Sequence, residues 1–125
     1  MISIVDDDES VRETTKGLVR SLGLNASAFA SAGEFLRSDR LNDTACLITD
    51  VQMPGMSEIE LQRRLLAQGC DLPIIFFTAF PEEEIRVRVI TAGAIGFLRK
   101  PFREECLIDC LDSALRSRGL VGVKQ

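Results

Sequence analysis

Reactive polar side chains follow four strand-like apolar runs of this sequence. In chain order they are the carboxylates of Asp6, Asp7 and Asp50, the hydroxyl of Thr78 and the ammonium of Lys100. Because the carboxyl ends of parallel strands share one edge of a sheet, where ligands bind, we expect these groups to gather in one pocket. Carboxylate oxygens suit Mg²⁺, and a lysine ammonium can compensate the charge of a phosphate. The pattern therefore predicts an acidic metal site with a phosphate-compensating lysine.

Strand and helix signals alternate five times along the chain. Capping motifs at Ser31 and Ser57 predict the starts of the second and third helices, and Pro81 suits the first position of the fourth. Gly23, Gly69 and Gly93 stand where helix ends are expected. The second helix should run to about residue 38 and the last over about 103–118. Alternating elements of this kind imply right-handed crossovers and a parallel sheet. We predict an α/β fold, a doubly wound (βα)5 sandwich.

Composition favours one soluble globular domain. The chain has 125 residues, of which 46% are hydrophobic and 27% charged, and its net charge is −4. Nothing in this charge suggests nucleic-acid binding. No apolar run approaches the roughly 20 residues of a membrane span, and the start lacks the basic and apolar parts of a secretory signal. We expect a cytoplasmic protein.

The chain has four cysteines and no histidine. Without histidine, Ser-His-Asp and Cys-His catalysis are excluded, and a phosphohistidine donor would belong to another molecule. Cys106 and Cys110 are one helical turn apart and could in principle chelate a soft metal. A tetrahedral zinc site would need all four cysteines or nearby carboxylates. We interpret the cysteines as small buried or half-buried side chains.

Four motifs, each at a strand tip, resemble those of bacterial response-regulator receiver domains. They are Ile4–Asp8, Thr49–Ser57, Phe77–Ala79 and Ala92–Phe102. The resemblance covers essentially the whole chain and is to the subgroup found on LuxR-type transcription regulators and on related single-domain receivers. It implies a flavodoxin-like, CheY-like sheet with strand order 2-1-3-4-5. It also implies a receiver domain over residues 1–118, with 119–125 as a tail or the start of a linker.

The resemblance implies a phosphoacceptor role for Asp50. A carboxylate can attack phosphorus and form a labile acyl phosphate. Asp6 and Asp7, with Asp50 and the backbone carbonyl of Gln52, would hold Mg²⁺. Two carboxylates about 4 Å apart repel by roughly 4 kcal/mol at an effective dielectric constant of 20, which a divalent cation offsets. Asp8 lies past the strand tip and is expected to start the first helix.

The remaining site residues implied by the resemblance form a switch. Lys100 would contact the phosphoryl group, whereas strand alternation should point Arg99 the other way. Thr78 would bond a phosphoryl oxygen and move toward it, and Phe97 would turn inward to fill the vacated space. Glu58 departs from the family pattern, which has glycine at this position, and adds negative charge near the site.

The resemblance also implies partners. A sensor histidine kinase or a phosphotransfer protein would donate the phosphoryl group, and a homodimer would form through the fourth helix, fifth strand and fifth helix. Neither a membrane nor nucleic acid is an expected partner of this domain. We expect a stand-alone receiver acting through protein contacts, with transcription as the output if a DNA-binding domain follows.

Three other functions fit parts of the pattern. A Mg²⁺-dependent phosphatase or phosphotransferase acting on small molecules could use an aspartate nucleophile, but position 52 is Gln where a companion acid would stand, and no insertion could form a substrate cap. A nucleotide- or flavin-binding domain lacks the glycine-rich phosphate loops. A phosphate-independent interaction module would usually have lost one of the five site residues, and none is lost here.

Overall fold

The chain forms a five-stranded parallel sheet covered by helices on both faces. The computed structural model describes residues 1–39, 41–51, 58–69, 72–79, 82–100 and 103–117. Within these residues the strand order is β2-β1-β3-β4-β5, and every adjacent pair is parallel. The predicted α/β fold and its strand order are confirmed. Residues 119–125, the predicted tail or linker, lie outside the described residues.

Strands and helices alternate as predicted. The strands are β1 (Ile2–Val5), β2 (Ala26–Phe29), β3 (Cys46–Asp50), β4 (Ile74–Thr78) and β5 (Gly96–Arg99). The helices are α1 (Glu9–Ser21), α2 (Ala32–Leu36), α3 (Glu58–Ala67), α4 (Glu83–Thr91) and α5 (Glu104–Ser117), with a short 3-10 turn at Leu41–Asp43. No helix in these ranges is long and apolar enough to cross a membrane.

Several helix ends lie where the local sequence signals place them. Asp8 caps α1, its carboxylate accepting from the backbone N–H groups of Ser10 and Val11. Ser31 caps α2 by accepting from the N–H of Glu34. The glycines after α1, α3 and α4 all have positive φ, which closes a helix without steric cost to a Cβ. The capping motif predicted at Ser57 lies outside the described residues.

Two predicted boundaries are wrong. Helix α4 begins at Glu83, two residues after the start predicted at Pro81, because Glu82 has an extended backbone (φ −112°, ψ 131°). Helix α2 ends at Leu36, before the predicted residue 38. There Ser38 donates from its backbone N–H and its hydroxyl to the carbonyl of Phe35, which closes a tight final turn.

Strand alternation divides the core into two clusters. Ile4, Ile48 and Phe77 face α1 and α5, where they pack with Leu107 and Leu111. The residues next to them in each strand face the other side and pack against α2, α3 and α4: Val5, Leu47, Phe76, Phe35, Leu61 and Val89. Since side chains alternate with a period of two, Asp6, Asp50 and Lys100 continue the row of the first cluster at the carboxyl edge. Thr78 and Phe97 share the face of Phe76.

A glycine and a cysteine meet where α5 packs on β5. A Cβ added at Gly96 would lie 2.7 Å from the Sγ atom of Cys110. Burial, with the neighbouring Cys106 thiol and the Asp109 carboxylate, raises the pKa of the Cys110 thiol. The thiol therefore stays protonated at neutral pH and packs as a small apolar group. Cys46 is buried, as interpreted from the sequence, but the same interpretation is wrong for Cys106, which is exposed on α5.

We expect Gly96→Ala to lower the free energy of unfolding by about 1–3 kcal/mol, because the new methyl group must displace the Cys110 sulfur. Urea denaturation measures this change. Gly17→Ala is the matched control: Gly17 lies inside α1 with nothing within 4 Å of an added Cβ, so alanine there should stabilise by up to about 1 kcal/mol. Adding Cys110→Ala to Gly96→Ala should recover most of the loss. Equal destabilisation by both glycine substitutions would contradict the packing argument.

Candidate functional site

The register of the strands brings the predicted site residues to one edge of the sheet. Val5 pairs with Thr49, so the next residues along the chain, Asp6 and Asp50, lie side by side at the ends of β1 and β3. Asp50 in turn pairs with Phe77, and Thr78 pairs with Arg99. Backbone hydrogen bonds continue past the paired residues, including one of 2.8 Å from the N–H of Lys100 to the carbonyl of Thr78. The sheet therefore fixes the backbone positions from which these side chains extend.

Asp6, Asp7 and Asp50 form a carboxylate cluster. Each offers an oxygen within 4.8 Å of the oxygens offered by the other two. Asp6 is fully buried and Asp50 is 7% exposed, whereas Asp7 is exposed to solvent. Water therefore screens the repulsion between the two buried charges poorly. Hard oxygen donors with one open side fit Mg²⁺, which keeps several of its waters. The backbone carbonyl of Gln52, the fourth predicted ligand, lies outside the described residues.

The ammonium of Lys100 lies between the two buried carboxylates. Its Nζ donates to Asp6 Oδ2 at 2.7 Å and to Asp50 Oδ2 at 2.8 Å. Burial lowers the pKa of Lys100, but the hydrogen bonds to both carboxylates and their negative charge outweigh burial, so the pKa is raised above its usual value. The lysine is therefore a permanent cation that neutralises part of the cluster.

Phe77 supports this ammonium in a way that the sequence analysis missed. The Nζ of Lys100 lies 4.5 Å from the centre of the Phe77 ring, within the range of a cation–π contact. Phe77 is fully buried and is the register partner of Asp50, so its ring packs next to that carboxylate in a fixed position. Strand alternation alone could not reveal this contact, because Phe77, Asp50 and Lys100 are brought together only by the order and register of the strands.

Two further contacts hold the β1–α1 loop. The N–H of Asp8 donates to Asp6 Oδ1 at 2.8 Å, and the guanidinium of Arg12 donates to the backbone carbonyl of Asp6 at 2.8 Å. Asp6 therefore has a fixed rotamer and a fixed backbone orientation. Arg12 was not predicted as a site residue, since an arginine one turn into a helix is common and carries no motif.

Arg99 points away from Lys100, as strand alternation predicts, and Thr78 and Phe97 share its face of the sheet. Thr78 is buried at the end of β4. Phe97 is half-buried on the same face of the sheet and packs against the cluster that contains Phe76 and Val89. Arg99 is exposed, in contrast to Lys100. Glu58, the departure from the family pattern, begins α3, and its side chain lies outside the described residues.

A groove opens beside the carboxylate cluster, between α1 and the start of α5. Its volume is about 680 Å³, and most of its walls come from one face of α1. The lining residues include Ser10, Val11, Leu18, Ala79, Lys100 and Glu104. Because Lys100 borders both features, the groove leads directly to the edge that carries Asp50.

The fold, the acidic cluster and the lysine at the strand edge agree with a known protein family. The family model described as "Response regulator receiver domain" matches residues 2–112. The chain belongs to the response regulator receiver family. It is therefore a signalling domain of two-component systems, with a CheY-like fold.

Named relatives of this receiver domain are response regulators. TodT of Pseudomonas putida, a response regulator protein, is 43% identical over 116 residues, which are 93% of this chain and 51% of TodT. The solved structure of the response regulator StyR is 43% identical with a TM-score of 0.86, covering 94% of this chain and 60% of that one. A response regulator receiver protein from Burkholderia phymatum is 39% identical with a TM-score of 0.78, covering 97% and 96%. The chain spans about half the length of the curated relatives it matches.

We expect Asp6→Asn to weaken Mg²⁺ binding at least about 10-fold, or 1.4 kcal/mol. A carboxylate beside a divalent cation contributes several kcal/mol of attraction even at an effective dielectric constant of 20, and desolvation offsets only part of it. Asparagine keeps the shape of Asp6 and an oxygen for the Asp8 N–H. Isothermal titration calorimetry measures the affinity.

Asp8→Asn is the control for this change. It removes the same charge two residues away and preserves the cap of α1, since asparagine caps helices well. An equal loss of affinity in the Asp8 variant would show that Mg²⁺ responds to the general acidity of the loop and not to the cluster.

Proposed function

We propose that this receiver is a phosphorylation-operated switch in which Asp50 accepts a phosphoryl group from a histidine of a sensor kinase or phosphotransfer protein in the cytoplasm. The observation that carries this proposal is the placement of Asp50: a nearly buried carboxylate whose Oδ2 is 2.8 Å from a lysine ammonium, within a three-carboxylate cluster. The other buried carboxylate, Asp6, is held by Asp8 and Lys100. Asp50 lies at the carboxyl edge of the sheet, and the groove lined in part by Lys100 opens beside this edge and gives a donor a way to approach.

The reaction needs few groups from this chain. A carboxylate oxygen of Asp50 attacks phosphorus, the P–N bond of the donor phosphohistidine breaks, and an acyl phosphate forms. Asp6, Asp7 and Asp50, with the backbone carbonyl of Gln52, would hold Mg²⁺, which when bound neutralises the carboxylates and the charge of the transferred phosphoryl oxygens. Lys100 stays protonated and positions one phosphoryl oxygen.

The response to this new charge is a change of packing. Thr78 at the end of β4 moves its hydroxyl toward a phosphoryl oxygen, and Phe97 turns inward on the same face of the sheet. Because the chain has neither Tyr nor Trp, packing of the Phe97 ring alone carries this signal. The change reaches the surface formed by α4, β5 and α5.

That surface is the proposed output face. Val87 and Ile90 of α4 are 50% and 39% exposed, and Ile95, just before β5, is 36% exposed. Val87 and Ile90 are three residues apart in α4 and therefore neighbours on its surface, and exposed apolar patches are typical of protein contact surfaces. A homodimer through this face, or a protein partner bound to it, is the proposed output. Where a DNA-binding domain accompanies the receiver, as the names of transcriptional regulatory relatives such as FixJ suggest, dimerisation would control transcription.

Incubation with acetyl phosphate, followed by intact-mass analysis, tests the proposal. We expect one phosphoryl group per chain in the presence of Mg²⁺ and none with EDTA. Hydroxylamine should remove it, because acyl phosphates are cleaved by hydroxylamine and phosphoserine is not. A hydroxylamine-stable adduct, or no adduct with Mg²⁺ shown to be bound by calorimetry, would refute the phosphoacceptor role.

A further inference from the structure

Cys106 and Cys110 on α5 take no part in the proposed switch. They are four residues apart in one helix, so their Cβ atoms lie about 5–6 Å apart on the same face. Both are free cysteines, Cys106 exposed and Cys110 half-buried. This places two soft sulfur ligands on one face of α5, whereas the carboxylate cluster offers hard oxygen ligands.

The Cys110 side chain is half-buried where α5 packs on β5. Gly96 of β5 closes the inner side, since an added Cβ at Gly96 would lie 2.7 Å from Sγ. Side chains in a helix lean toward its N-terminus, so the Cys110 side chain leans over the turn that carries Cys106. The two thiols are also close enough for the charge of Cys106 to contribute to the raised pKa of the Cys110 thiol.

This geometry does not suit a disulfide. A disulfide needs Cβ atoms about 3.5–4.5 Å apart, closer than one turn of an undistorted helix allows. A metal ion that bridges two thiolates needs the two side chains farther apart than a disulfide does. With metal–sulfur bonds of about 2.3 Å, comparable to those of zinc thiolates, it spans sulfurs separated by up to about twice that length. The undistorted helix matches the metal and not the disulfide.

The number of ligands decides the class of metal. Structural zinc takes four ligands. Among the described residues, the one group of three or more metal-ligating side chains is the cluster of Asp6, Asp7 and Asp50, so no third such side chain there lies close enough to both thiols to complete a larger ligand set. Thiolates select soft ions such as Cu(I), for which two sulfur ligands suffice. We propose that Cys106 and Cys110 form a two-thiolate site for a soft monovalent cation, with Cu(I) as its representative.

Binding requires no oxidant or reductant. Two S–H bonds are replaced by two S–Cu bonds, two protons are released to solvent, and copper remains Cu(I). The site lies beside Gly96 at the start of β5, away from the strand ends that carry Asp50 and Lys100. It does not depend on phosphorylation of Asp50, so its test is independent of the proposed switch.

Anaerobic competition with a chromophoric Cu(I) chelator tests the site in the full chain. We expect wild-type protein to take one equivalent of Cu(I) from the chelator. Cys106→Ser should weaken this uptake at least about 100-fold, because the second sulfur acts at high effective concentration once the first is bound. X-ray absorption should report two sulfur neighbours per copper.

A shifted-thiol variant provides the matched control. Glu105→Cys combined with Cys106→Ser keeps four cysteines but places the two α5 thiols five residues apart, about 140° around the helix. Its helicity, measured by circular dichroism, should be unchanged. Its Cu(I) affinity should be as low as that of Cys106→Ser. Wild-type affinity in the shifted variant, wild-type affinity in Cys106→Ser, or no Cu(I) uptake by the wild type would each overturn the proposal.

Discussion

Asp50→Asn is expected to abolish the hydroxylamine-sensitive phosphoryl adduct formed from acetyl phosphate. An amide oxygen is a far weaker nucleophile than a carboxylate and cannot form the acyl phosphate. The fold should survive the change, because asparagine has nearly the volume of aspartate and its amide oxygen can accept from the ammonium of Lys100. Lys100 also keeps Asp6 as a charged partner. Intact-mass analysis measures the adduct.

Two controls make the Asp50 result interpretable. Asp43→Asn removes the same charge from an exposed position in the 3-10 turn, and its labelling should equal that of the wild type. Urea denaturation should place the free energy of unfolding of Asp50→Asn within about 1 kcal/mol of the wild type, the usual range for a substitution that creates no cavity and leaves no buried charge unpaired. Persistent labelling of Asp50→Asn would show that another residue accepts the phosphoryl group.

Lys100→Met is expected to destabilise the protein by about 3 kcal/mol in EDTA. Removing one partner of a buried ion pair leaves an uncompensated charge and costs about 3–5 kcal/mol. Here the loss leaves two carboxylates, Asp6 and Asp50, without their ammonium. The low end of the range applies because the Lys100 side chain is 14% exposed. Methionine keeps the length and the apolar contact with the Phe77 ring.

Mg²⁺ should have the opposite effect on this variant. The Lys100 ammonium occupies oxygens of the same carboxylates that would ligate the metal, and its charge repels a divalent cation. Lys100→Met should therefore bind Mg²⁺ more tightly than the wild type and recover more stability when Mg²⁺ is added. Denaturation in EDTA and in Mg²⁺ measures both effects.

Arg99→Met is the control for Lys100. It removes a positive charge one residue earlier from a side chain that points into solvent, and its effect on stability should stay within about 0.5 kcal/mol. Two results would contradict the ion-pair argument. One is an equal loss of unfolding free energy in Lys100→Met and Arg99→Met; the other is equal stabilisation of the wild type and both variants by Mg²⁺.

The amino-acid sequence alone determined the order of elements and the identity of the residues at the strand tips. These features depend on local chemistry: apolar runs, capping side chains such as Asp8 and Ser31, and glycines that accept positive φ after a helix. One local rule failed at the start of α4. Pro81 suits a helix start, but the extended backbone of Glu82 delays α4 to Glu83.

The tertiary structure decided which of these side chains touch. Chain position places Lys100 far from Asp6, 94 residues away, and only the sheet order and register bring their charged groups within 2.7 Å. The same register puts the Phe77 ring beneath the ammonium, and the packing of α5 on β5 puts the sulfur of Cys110 against Gly96. Contacts of this kind depend on which strands are neighbours and how they align, and a local sequence pattern holds neither. The chemistry of the site was therefore predictable from residue types, whereas its electrostatic balance required the folded sheet.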